Sequence, residues 1–155
     1  MVRLADLPEY EREHLLAKNT TPTEPTPWVA KDMPLAQRRI ALVTTAGLHL
    51  REDDGFGYAD AGYRLIPGEI NAGDLVMSQT SVNFDRTGFL DDVNVVFPLQ
   101  RFRELSAEGV VGPLASQHVS FMGAGVLPES YAESARRLAG LLIRDAVDTV
   151  FLTPV

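Results

Sequence analysis

The chain has 155 residues, 45% hydrophobic and 23% charged, with a formal net charge of -7. That is one domain's worth of a soluble globular protein, and its acidity argues against nucleic acid as the main partner, since phosphate recognition needs clustered Lys and Arg. There is no cysteine and there are only three histidines, His14, His49 and His118. Disulfides, Cys-ligated zinc and a thiol nucleophile are thereby excluded from these residues, and an imidazole-rich metal site is disfavoured.

In chain order, Leu4 to Lys18 has helical spacing of Leu4, Leu7, Leu15 and Leu16, with Pro8 near its start. This stretch is charged and is not a signal peptide, and no apolar run reaches the roughly 20 residues of a membrane span. The expectation is a cytoplasmic protein that does not enter a membrane. Asn19 to Pro27 carries three prolines, which lack the amide donor and fix φ, so it reads as an extended arm. Trp28 is expected to pin that arm to the body. The domain division is therefore 1–27, helix and arm, and 28–155, an α/β domain.

Ile40 to Thr45 is a near-continuous apolar run, as in a strand buried on both faces of a parallel sheet. Arg51 to Gly62 reads as loop. Tyr63 to Ile66 and Asp74 to Gln79 read as strands, Ser81 to Asp92 as a polar loop, and Val93 to Phe97 as a strand ended by Pro98. Leu99 to Gly109 predicts a helix with Leu99, Phe102 and Leu105 on one face and Gly109 as its cap. Val119 to Met122 is a short apolar run. Glu129 to Ala146 predicts the last helix, and Asp148 to Val155 a buried strand running into a turn. The arginine pairs Arg38-Arg39 and Arg136-Arg137 read as solvated flanks. Strands alternating with helices predict a mainly parallel α/β sheet flanked by helices, Rossmann-like. Domains usually close on a surface helix or polar tail, so an apolar last strand predicts a fold that is incomplete at its C-terminus.

Several clusters suit chemistry. Thr44 and Thr45 with Ala46-Gly47 end the first strand, where hydroxyls and backbone N–H groups can face an anion; a tight structural turn is the alternative. His49 follows as a possible acid or base. In the Ser78 to Asp92 segment, Arg86 can grip a carboxylate in bidentate fashion, Asp85 can orient it or move a proton, and Asn83 stands beside them. An ordered loop with its own ion pair is the bland alternative. His118 with Ser116 has the residue types of a hydrolase triad, but no G-x-S-x-G elbow occurs. Gly123 and Gly125 either admit a ligand close to the backbone or serve as turn residues.

The segments S-Q-T-S-V-N-F-D-R-T-G-F-L-D-D-V-N-V-V-F-P-L-Q-R-F-R-E-L, G-P-L-A-S-Q-H-V-S-F-M-G-A and V-D-T-V-F-L-T-P-V resemble the selenoprotein B family of glycine, sarcosine, betaine and D-proline reductases. The short D-proline reductase-type members match best in length and order. The resemblance runs from about Ile40 to Val155. It implies reductive cleavage of a C–N bond in an amino acid or methylated amine by a selenol or thiol. It further implies a dithiol or thioredoxin-type electron donor, another reductase subunit as partner and, where used, a pyruvoyl group on that partner. In the short members the redox residue follows a T-P-V-like end, so a selenocysteine is expected after Val155, and the chain as it stands is expected to be inactive. The expected catalytic groups are His49, Asp85 and His118, with Thr44, Thr45, Asn83 and Arg86 binding substrate. A non-catalytic binding domain that self-associates through its terminal strand is the alternative. A thiol-independent enzyme acting through His49, His118 and Asp85 is the third.

Overall fold

The structure is a computed structural model that describes residues 3–17, 29–81, 84 and 86–155. The chain divides into two units at Asp32/Met33. In the first, a 3-10 turn at Leu4–Asp6 precedes helix α1, Glu9–Ala17. None of its residues is buried; Leu4, Leu15 and Leu16 are exposed. The proline arm and Trp28 lie outside the described residues.

The second unit holds a four-stranded sheet. Strand β1 (Ile40–Thr44) is followed by β2 (Leu48–Leu50), β3 (Tyr63–Pro67) and β4 (Leu75–Met77). Then come helices α2 (Thr87–Asp91) and α3 (Leu99–Ala107), strand β5 (Gln117–Phe121), helix α4 (Ala132–Arg144) and strand β6 (Thr149–Thr153). The main sheet runs β3-β5-β1-β6, and β2 and β4 form a separate antiparallel ribbon. β1 is parallel to both β5 and β6, as a buried apolar strand predicts. β3 runs antiparallel to β5, so the sheet is mixed, and the expectation of parallel strands holds for β5, β1 and β6 alone.

Strand alternation sends residues to two faces. Leu42 and Ile66 pack with Leu99, Phe102 and Leu105 of α3 and with Leu48 and Leu75 of the ribbon. Val43, Leu65, Val119 and Phe121 pack against Leu138 and Leu142 of α4. Each fully buried Leu, Ile or Phe here is worth about 1.5–3 kcal/mol. β1 therefore leaves the sheet towards the α3 face, whereas β5 leaves towards the α4 face. Where adjacent parallel strands exit to opposite faces, a crevice forms beyond their carboxyl ends.

Three expectations are corrected. Val93–Val95 is a 3-10 helix, not a strand, because the Asp92 side chain caps it by accepting the Asn94 N–H at 2.9 Å. Its run still buries Val96 and Phe97 in the core. The Ser81 to Asp92 loop contains helix α2. Asp74 to Gln79 contributes only Leu75–Met77 as strand, paired with β2 outside the main sheet.

Candidate functional site at the carboxyl edge of the sheet

The ends of β1, β5 and β6 meet in one place. Thr44 is wholly buried; its hydroxyl donates to the Val96 carbonyl at 2.8 Å and accepts the Ala46 N–H at 3.2 Å. It shapes the turn rather than facing solvent. Thr45 points the other way. Its hydroxyl accepts the Val155 N–H at 2.8 Å and donates to the Val155 main-chain oxygen at 3.3 Å. Its own N–H donates to the Thr153 carbonyl at 3.2 Å. Gly123, with φ +78°, sits against Thr45: a Cβ there would lie 2.7 Å from the Thr45 Cβ. The buried hydroxyl of Thr153 has no hydrogen-bond partner among the described residues.

The crevice between β1 and β5 is filled by Gln79, which is 6% exposed. Its amide nitrogen donates to the carbonyls of Thr45 (2.8 Å) and Met122 (2.6 Å). Its amide oxygen accepts the Ser81 N–H at 3.0 Å. Arg86 closes over this loop. Its guanidinium donates to the Gln79 carbonyl, and to that of Ser81 at 3.3 Å. It lies 5.9 Å from the Phe84 ring centre. Arg86 is thus at the same edge as Thr45, and in this arrangement it binds loop carbonyls. Asn83 and Asp85 lie outside the described residues.

Of the two body histidines, His49 reaches towards this edge only through Ser78, the residue before Gln79, and His118 bonds Leu42 within the sheet. His49, on β2, is buried. Its Nδ1 lies 2.6 Å from the Leu50 carbonyl and its Nε2 2.7 Å from the Ser78 hydroxyl. A carbonyl only accepts, so Nδ1 carries the proton, and a neutral ring leaves Nε2 to accept from Ser78. This is the geometry of a base beside a hydroxyl, but Gly55 covers it: a Cβ on Gly55 would lie 2.8 Å from the Ser78 Oγ.

His118, on β5, has no solvent exposure. Its Nδ1 accepts the Leu42 N–H at 3.0 Å, Nε2 has no partner among the described residues, and the Phe97 ring meets it edge-on at 5.9 Å. Burial first, then the nearby Arg103 and Arg39 charges, pull its pKa from 6.5 to about 4, with Asp145 opposing. The ring is therefore neutral near pH 7. Ser116, weighed with it in a triad, is exposed and gives its N–H to Asp145 at 2.7 Å.

Sequence reading missed Gln79 and Ser78 as individuals. Both stood in the polar Ser78 to Asp92 segment, where no periodicity marks a buried side chain. Two cavities lie away from this edge. One, of about 310 Å³, is lined by Leu75, Phe97 and Arg103. The other, of about 600 Å³, borders Arg39 and Arg103 beside the start of β1. Among the described residues no cluster of His, Asp or Glu could hold a metal ion, and no helix is long and apolar enough to cross a membrane.

The family model for glycine/sarcosine/betaine reductase selenoprotein B matches residues 3–155. The chain is 33% identical over 133 residues to D-proline reductase subunit gamma of Acetoanaerobium sticklandii, covering 84% of this chain and 54% of that protein. It is 31% identical over 133 residues to the beta subunit of sarcosine reductase complex component B of Peptoclostridium acidaminophilum, covering 83% of this chain and 30% of that protein. The chain thus spans about half, or less, of the length of these curated relatives. No solved structure matches it.

Proposed function

This chain belongs to the glycine/sarcosine/betaine reductase selenoprotein B family, and we propose that it forms part of the subunit that reduces substrate in such a complex. The relatives are named as subunits of multi-subunit reductases, which supports a second reductase subunit as partner. The reaction is reductive cleavage of a C–N bond in an amino acid or methylated amine. Carbon gains hydrogen, the nitrogen takes up a proton and departs as amine or, in a cyclic substrate, stays on the opened chain, and a dithiol or thioredoxin-type donor is oxidised to its disulfide. A pyruvoyl group, where one is used, belongs to the partner. The expected compartment is the cytoplasm, where such dithiols stay reduced.

The observation that carries this reading is the double hydrogen bond between Thr45 and Val155 at the carboxyl edge. It holds the end of β6 beside the β1–β5 crevice, the place where α/β sheets bind ligands. The exits of β1 and β5 to opposite faces also support a Rossmann-like reading of the fold. The 155 residues hold no cysteine, so the reducing group comes from outside them. We place it as a selenocysteine or cysteine directly beyond Val155. Such a residue, as selenolate or thiolate, supplies the nucleophile for reduction. The buried, unpartnered Thr153 hydroxyl on the same strand end suits a neighbour that becomes anionic. Arg86 holds the substrate carboxylate, exchanging loop carbonyls for it, and its sequence neighbours Asn83 and Asp85 keep their assigned roles in binding and proton transfer. Of the histidines, His49 next to Ser78 is the better placed to move a proton.

Without the reducing residue, the chain by itself is inactive. The test is dithiol oxidation and amine release with glycine, sarcosine, betaine and D-proline, using the complex isolated with this protein. C–N cleavage in step with disulfide formation is expected for one of them, seen as released amine or, for cyclic D-proline, as the ring-opened amino acid. Loss of neither substrate nor dithiol with all of them overturns the reading.

A second reading rests on β6. It pairs only with β1 in the described sheet, and Val150, Phe151 and Leu152 on it are exposed. An unpaired apolar edge favours strand-to-strand association. A non-catalytic domain that self-associates there would be a stable dimer, dispersed to monomers by Leu152→Lys, and would lack reductase activity in any complex.

A further inference from the structure

The crevice between β1 and β5 is held shut by one amide. The Gln79 nitrogen donates to the carbonyls one residue past the ends of both strands, Thr45 after β1 and Met122 after β5. Linking two carbonyls through one short, uncharged group needs two donors on a single atom. Glu has none, and Lys would bury a charge. Behind Gln79, the Arg86 guanidinium fixes the Gln79 carbonyl, and the Gln79 amide oxygen fixes the Ser81 N–H. In front of it, Thr45 is held through its carbonyl by Gln79 and through its N–H by Thr153. Its hydroxyl then both accepts from and donates to Val155. A hydroxyl that meets the N–H and the oxygen of one residue restrains the rotation of that peptide segment in two directions. Gly123 packs closely against Thr45.

We propose that Gln79 and Thr45 are positioning residues of the carboxyl-edge site: the Gln79 carboxamide sets Thr45, and the Thr45 hydroxyl sets the Val155 main chain relative to the crevice. The inference rests on the reading of that edge as the reductase site. Neither side chain exchanges atoms with substrate. Together they decide where the group beyond Val155 stands and how much of the time it stands there.

Two measurements separate this inference from the functional reading. The first is amide hydrogen exchange on the protein itself. Thr45→Val keeps the shape and removes the hydroxyl, so the Val155 amide should exchange about fivefold faster or more, as expected for losing one net hydrogen bond. The amides of Ala41 and Leu42 should be unchanged. Thr45→Ser should restore protection, and Gln79→Glu, which sets a carboxylate against two carbonyls, should abolish it at Val155. Unchanged Val155 exchange in Thr45→Val overturns the inference, whatever the protein's activity. The second measurement is kcat and KM in the reductase complex. Thr45→Val should lower kcat tenfold or more with KM for the amino substrate within twofold, and Thr45→Ser should recover most of the rate. A raised KM at unchanged kcat would make Thr45 a substrate contact and overturn the positioning role. A wild-type complex without reductase activity sinks the functional reading, while the exchange result still decides the hydrogen-bonded chain.

Discussion

His118 Nδ1 accepts the backbone N–H of Leu42 at 3.0 Å, so a side chain of β5 stands in for a strand carbonyl at the centre of the sheet. Protonating Nδ1 would break that bond and bury an unpaired charge between Arg103 and Arg39. The pKa is accordingly depressed to about 4. Below the ordinary value of 6.5 the unfolded chain takes up a proton that the folded chain refuses. This contribution to stability is therefore complete above about pH 6.5 and is lost as the pH falls towards about 4, by up to about 3 kcal/mol. Urea unfolding at pH 7, 5.5 and 4.5 checks it. His118→Asn, which keeps an acceptor near Nδ1, should flatten the dependence over that window. His118→Ala should cost about 2–4 kcal/mol at pH 7, from the cavity and the orphaned Leu42 N–H.

Helices α3 and α4 end in the same way with different residues. After α3, Val110 N–H bonds to the Leu105 carbonyl and Gly109 N–H to that of Ser106; after α4, Val147 N–H bonds to Leu142 and Ala146 N–H to Ile143. Gly109 has φ +73° at no steric cost, whereas Ala146 has φ 52° and carries a Cβ. Ala146→Gly should stabilise the protein by about 0.5–1 kcal/mol, seen as a higher urea midpoint at unchanged m.

Gly123→Ala should do the reverse at the carboxyl edge. The substitution meets both a positive φ and the Thr45 Cβ, so a loss of about 1–3 kcal/mol is expected. The displaced Thr45 should also release Val155. A thermal melt gives the stability, and exchange at the Val155 amide gives the local effect.

Much of the frame was legible because burial leaves a pattern. The Ile40 to Thr45 run became the central strand, and Leu99, Phe102 and Leu105 all faced the core. Leu138 and Leu142 did the same for α4; the last strand lies within the predicted span but, expected to be buried, it is an edge strand with Val150, Phe151 and Leu152 exposed. Where the pattern misled, backbone chemistry prevailed over hydrophobicity. Val93 to Phe97 reads as a strand by composition, yet the Asp92 cap turns Val93–Val95 into a 3-10 helix, and the residues after it, Val96 and Phe97, are still buried. The direction of β3 left no trace, since alternation is identical in either orientation. At the site, Thr45 and Arg86 could be named because their residue types are suited to anions. Gln79 could not, since its role depends on two carbonyls from distant strands.

Arg86 binds loop carbonyls in this structure and is assigned a substrate carboxylate. In the reductase complex, Arg86→Ala should raise KM for the amino substrate tenfold or more, and Arg86→Lys should recover it only in part, since Lys lacks the forked donor. A fall in kcat with KM unchanged would make Arg86 a loop clamp alone.

Under the proposed function, the reducing residue stands directly beyond Val155, held there by Thr45. Mass spectrometry of the protein from the native reductase complex tests it, because trypsin cuts after Arg144 and releases a peptide starting at Asp145. The expected peptide runs through Thr153-Pro154-Val155 into a selenocysteine or cysteine that iodoacetamide modifies after reduction. A peptide ending in a free carboxylate at Val155, from a complex that still reduces its substrate, would contradict it.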